Sequence, residues 1–220
     1  MSSQIQEEVQ GEKMDLVEPL PEWTKDDLKE VILHNNYMSP ACCKIRAILT
    51  YNKVPFTTIK GKKKDSAYKK IPVLMLNGRQ INDSFIIVKN LAPVLYGNPL
   101  TPEELDFEER MTYGLLPSML SQTFDNGWET RKLVSKFSGK CGACCFTVCC
   151  CNCCCMRSKF SKNLLKKEKL ESNNTDPYIA MIEARLSENA FLQGPEIGIL
   201  DLSLYGVTQA FSIEPRIKVF

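Results

Sequence analysis

The chain has 220 residues, 44% of them hydrophobic and 25% charged, enough to bury a real core as one large domain or two small ones. Its 28 basic and 26 acidic residues leave a net charge of +2, and nucleic acid is not among the expected partners. No basic start runs into an apolar stretch, and the opening residues hold acids but no arginine, so neither a secretory signal nor a transit peptide is written there and the expected location is cytoplasmic.

Residues 1–28 read as an acidic mobile tail, polar and aperiodic to about Glu18, with residues 19–29 a short cover before the first strand. Val31-Ile32-Leu33 is short, β-rich and apolar, whereas Cys42, Ile45, Ile48 and Leu49 recur at helical spacing. Between them lies Ser39-Pro40-Ala41-Cys42-Cys43-Lys44-Ile45-Arg46. Serine followed by proline writes a helix start: the hydroxyl caps free N–H groups and the proline's missing N–H costs nothing there. Ser39 and Cys42 thus flank an electropositive helix end, which favours the chain's own thiolate or one on a ligand. Cys42 shares the apolar face with Ile45 and doubles as a small buried hydrophobe; Cys43 points elsewhere. The lone His34, at a strand end, reads as structural.

Residues 54–59 predict a second strand, 72–76 a third and 79–81 a fourth, the last two joined through Asn77-Gly78, a dipeptide suited to two successive positive φ angles. Gly61-Lys62-Lys63-Lys64-Asp65 reads as a solvated surface, with anion attraction left open. Ile71-Pro72 opens the third strand, where a missing donor is tolerated. Asn82-Asp83-Ser84 precedes a helix with Ile87, Val88, Leu91 and Leu95 on one face, so the order is βαβ then ββα. After a break at residues 96–100, Thr101-Pro102-Glu103-Glu104 starts a helix, and β-rich alternation disappears. Leu105, Phe107, Met111, Leu115 and Leu116 form an amphipathic stretch that Pro117 kinks or ends. A later helix opens at Asp176-Pro177 and carries Ile179, Ile182 and Leu186.

Together, the Ser-Pro-x-Cys turn, Val54-Pro55-Phe56, Ile71-Pro72-Val73-Leu74 and Asn82-Asp83-Ser84 resemble the thioredoxin-fold domain of the glutathione transferase superfamily. Phe191-Leu192-x-Gly194 followed by Asp201 and Tyr205-Gly206 resembles the signature of its helical domain. The wording at Asn82-Asp83-Ser84 and over Ser39 to Arg46 is most similar to the type 2 prostaglandin E synthase branch. The resemblance implies an α/β thioredoxin-like, glutathione-binding domain at 29–96 and an all-α domain at 101–220. It also implies a short helix after the lysine loop and a cis bond at Ile71-Pro72.

On the same grounds, Ile71 and Pro72 would present backbone to the cysteinyl part of glutathione, and Asp83 and Ser84 would hold its γ-glutamyl end, although helix capping alone accounts for that pair. Ser39 stands where the type 2 branch has its cysteine. Serine here is what several transferase classes use to donate a hydrogen bond to the glutathione thiolate. Gly198 replaces the Ser or Thr that would cap toward Asp201, and the chain stops about a helix earlier than its relatives, so the far wall of the substrate pocket is expected to be missing.

Nine of the 11 cysteines lie in an insert at 141–155. Neighbouring cysteines on one short segment cannot reach bridging geometry with each other, and a gap too short for a zinc ribbon, with no histidine near, leaves metal an outlying reading. Two readings remain. Cysteine as a small hydrophobe fits a packed helical hairpin, and Cys149, Cys150, Cys151, Cys153, Cys154 and Cys155, with basic residues on both sides, fit a multiply acylated anchor. At about 16 residues the stretch is short for a membrane-spanning helix.

The expectation is therefore a glutathione-dependent transferase or isomerase, with Ser39 or Cys42 as the thiol-activating residue, glutathione as cosubstrate and an electrophilic or peroxidic lipid-like molecule as the small apolar substrate. A homodimer is open. The alternative is a transferase-like adaptor that lost turnover and sits peripherally on membranes.

Overall fold

The computed structural model describes residues 20–131, 151–209 and 211, with residues 151–157 described by backbone alone. The chain forms two units. One takes in residues up to Asp106 and then Ile199–Gly206; the other runs over Phe107–Gly198 and resumes at Val207.

In the first unit a short 3-10 turn at Lys25–Asp27 leads into the sheet, with Thr24 and Asp27 capping each other reciprocally. Strand β1 (Val31–Asn35) is followed by helix α1 (Pro40–Tyr51), β2 (Thr57–Lys60), β3 (Val73–Leu76), β4 (Arg79–Asn82) and helix α2 (Ser84–Tyr96). The sheet order is β2-β1-β3-β4, with β2 parallel to β1 and the other pairs antiparallel. Asn77 and Gly78 both adopt positive φ, 47° and 81°, as the hairpin dipeptide requires. Asn77 also accepts from Lys29 and Glu30 N–H and donates to Asp27 O, tying the entry segment to the hairpin.

Register sets the two faces of this sheet. Leu33, Leu74 and Ile81 lie in one row, fully buried, and so are Ile45, Ile48 and Leu49 of α1 and Ile87, Val88 and Leu91 of α2, which make the core. Leu95 is only half-buried and Val94 is buried in its stead. His34, Val73 and Asn82 form the next row, on the opposite face. The short helix implied after the lysine loop is absent: residues 61–72 run as turns and coil. That segment has no apolar period to bury, and it contributes only Ser66, Tyr68 and Pro72 to the interior. All four residues of β2 are correspondingly exposed.

Helix α3 (Pro102–Arg110) opens with a reciprocal box between Thr101 and Glu104. The second unit then continues through a π-helical turn at Met111–Leu115 into α4 (Leu116–Asp125). Pro117 has no N–H for the preceding turn, and the backbone widens there without ending the helical path. Helix α5 (Cys151–Lys167) packs along α4, with Ser121 and Ser161 hydroxyls 2.7 Å apart and the Phe124 and Phe160 rings edge-on at 4.7 Å. Helix α6 (Asp176–Glu188) sets Tyr178 against Gly114, and its Arg185 lies 4.7 Å over the Phe107 ring and donates to Leu192 O. Its Ile179, Ile182 and Leu186 are half-buried. Helix α7 (Ile199–Gln209) carries Asp201 and Gly206. Among the described residues no helix is long and apolar enough to cross a membrane. Residues 141–150 of the cysteine-rich insert lie outside the described residues.

Candidate functional site

The row His34, Val73, Asn82 explains how distant stretches meet. His34 stands next to the last residue of β1, Val73 is the first of β3 and Asn82 is the last of β4, so the chain leaves or enters all three strands at one end of the sheet. The segment after β1 brings Ser39, the segment before β3 brings Ile71-Pro72, and the residue after β4 is Asp83. Helices α1 and α2 also begin there, each with a positive dipole end.

Ser39 is the N-cap of α1. Its Oγ accepts from Cys42 N–H at 3.4 Å, and Pro40 follows at the first helical position. An oxygen that accepts from the helix keeps its own proton for a second partner. Ser39 is half-exposed. Cys42 is fully buried, and burial pushes its thiol up, outweighing the opposing hydrogen bonds and the Arg46 charge. Like Ile45 on the same helix, it is a buried side chain. Cys43 is half-exposed, and neither cysteine is in a disulfide.

The Ile71-Pro72 bond is cis, with Pro72 buried and Ile71 half-buried. Asp83 caps α2, accepting from Phe85 N–H at 2.9 Å, and its backbone lies at φ 66°, ψ 133°. Positive φ on an aspartate costs roughly 1–3 kcal/mol and persists only where the surroundings demand it. Ser84, the first residue of α2, is buried.

Two further features escaped the sequence reading. Arg46 donates to the Asn35 side chain, lies 2.8 Å from Cys43 Sγ and sits 4.9 Å over the Tyr37 ring, and so pins the turn that presents Ser39. A basic residue on an amphipathic helix carries no signal that it folds back on the preceding turn. On the sheet face opposite the core, Gln80 donates to Ser66 Oγ at 2.6 Å and to Asn82 Oδ1 at 2.8 Å, which fastens the 61–72 segment to β4.

Residues 33–93 match the family model for the glutathione S-transferase N-terminal domain. The chain is also similar to prostaglandin E synthase 2 of Danio rerio, 38% identical over an alignment of 72 positions that covers 30% of this chain and only 19% of that protein. Among solved structures it is similar to Ure2p in complex with glutathione, with a TM-score of 0.52 and 14% identity, covering 84% of this chain and 86% of that one. It is likewise similar to glutathione S-transferase III in its apo form, with a TM-score of 0.53 and 15% identity, covering 85% and 83%. The fold is thus the one these structures share, a thioredoxin-like domain followed by one that is all-α among the described residues.

Proposed function

We propose that this chain is a glutathione-dependent transferase or isomerase of the prostaglandin E synthase type 2 kind. In this reading Ser39 donates a hydrogen bond to the glutathione thiolate, the Ile71 backbone pairs with its cysteinyl unit, and Asp83 with Ser84 receives the γ-glutamyl end at the start of α2. Cys42 supports the helix from below. The second substrate is an electrophilic or peroxidic, lipid-like molecule. The observation that carries the reading is the one end of the sheet at which the segments bearing Ser39, Ile71-Pro72 and the positive-φ Asp83 leave or enter their strands. A glutathione titration followed by turnover with a generic electrophile tests it: binding without turnover keeps the site and removes the enzyme.

A second reading, attachment to membranes through the cysteine string, is favoured by one observation. Helix α5 begins at Cys151 and presents exposed Lys159, Phe160 and Lys162 a few residues on. Acyl chains beside basic residues supply the two signals that stable anchoring needs.

A further inference from the structure

His34 is nine-tenths buried, and its Nδ1 has no hydrogen-bond partner among the described residues. It shares a register row with Asn82, whose Nδ2 is also buried without a partner. Gln80, two residues before Asn82 and on the same face, holds Ser66 of the 61–72 segment, so that segment covers the face to which His34 belongs. The groups around the ring are few. Its row neighbours Ile59 and Val73 do not titrate, Lys60 is paired one position along with Asn35, and the covering loop brings Lys63 and Asp65, themselves paired at 2.6 Å.

We propose that His34 is a proton-sensing latch beneath the glutathione pocket: neutral, it lets the 61–72 segment close over the sheet and hold Ile71-Pro72; charged, it loosens that segment and weakens the ligand. This rests on the glutathione reading above. A second ring proton would place an N–H where no acceptor is found and a cation within range of Lys63. Burial first, and then Lys63, hold the ring's pKa below the ordinary 6.5, with Asp65 opposing, so the ring is neutral at pH 7 and charges only on acidification.

His34 is the chain's single histidine, so its imidazole resonance reports one site. The probe is S-methylglutathione, which has no thiol proton to confuse the titration. Its affinity, measured at one pH above and one below the midpoint of that resonance, is expected to be lower at the acidic pH in the native chain and to stay level in His34→Gln. By reciprocity, saturation with the probe should move the histidine midpoint of the native chain further down. Equal affinity at both pH values, the same pH dependence in His34→Gln, or a midpoint unmoved by the probe overturns the latch and leaves the pocket standing. Absence of binding at both pH values overturns the pocket and the latch with it.

Discussion

Gly206 lies so close to Lys44 that a methyl group on it would sit 2.3 Å from Lys44 Cα and 2.5 Å from its backbone N. The contact is backbone against α7, so no side chain can swing away to make room. Gly206→Ala should therefore destabilise the fold by about 1–3 kcal/mol, as overpacking of a tight contact does. Chemical denaturation checks it, and wild-type stability in the variant would mean that the two helices separate freely.

The burial of Cys42 predicts a thiol that does not react while the protein is folded. Alkylation of the native chain followed by peptide mass analysis should label the half-exposed Cys43 and spare Cys42 until denaturant is added. The pH dependence has a definite sign. The folded-state pKa is raised, so the contribution of Cys42 to stability is complete below the ordinary thiol value of 9.0 and is lost as pH rises through the raised one.

Much of this was readable because local chemistry and tertiary packing agree. Ser39-Pro40 became the cap and first residue of α1, and Asn77-Gly78 took the two positive φ angles expected of it. Elsewhere the deciding physics lay far away in the chain. The lysine loop has no periodicity, and only the register of β4 shows that Gln80 fastens it to the sheet. Pro117 signals an interruption, but whether the chain kinks, stops or widens into a π turn depends on a neighbourhood where Tyr178 fills the space beside Gly114. The backbone of Asp83 was invisible for another reason, since Asn-Asp-Ser fits an ordinary cap equally well.

For the cysteine string the expected outcome is S-acylation at Cys149 to Cys155 in cells, with part of the protein in the membrane fraction. Each buried methylene adds about 0.8 kcal/mol, and one chain alone holds only marginally, so several acceptors are needed. Hydroxylamine, which cleaves thioesters, should release that fraction. Protein that stays put, together with unfolding when the six cysteines are replaced by serine, would show that the string is core.

Ser39→Ala tests the observed cap and the proposed thiolate contact separately. Loss of the cap should cost about 1 kcal/mol of stability. Conjugating activity should fall much further than glutathione affinity does, because the hydrogen bond matters most where charge develops on sulfur. Comparing kcat with the glutathione dissociation constant gives the answer, and unchanged kcat would remove Ser39 from the chemistry.

The central claim is that the start of α2 holds the γ-glutamyl end of glutathione, and calorimetric titration of glutathione into the native chain and Ser84→Ala tests it most directly. A hydrogen bond to a charged group contributes about 1.5–3 kcal/mol, so the native chain should bind and the variant should bind about tenfold more weakly or worse. Equal affinity in the two proteins would contradict the assignment.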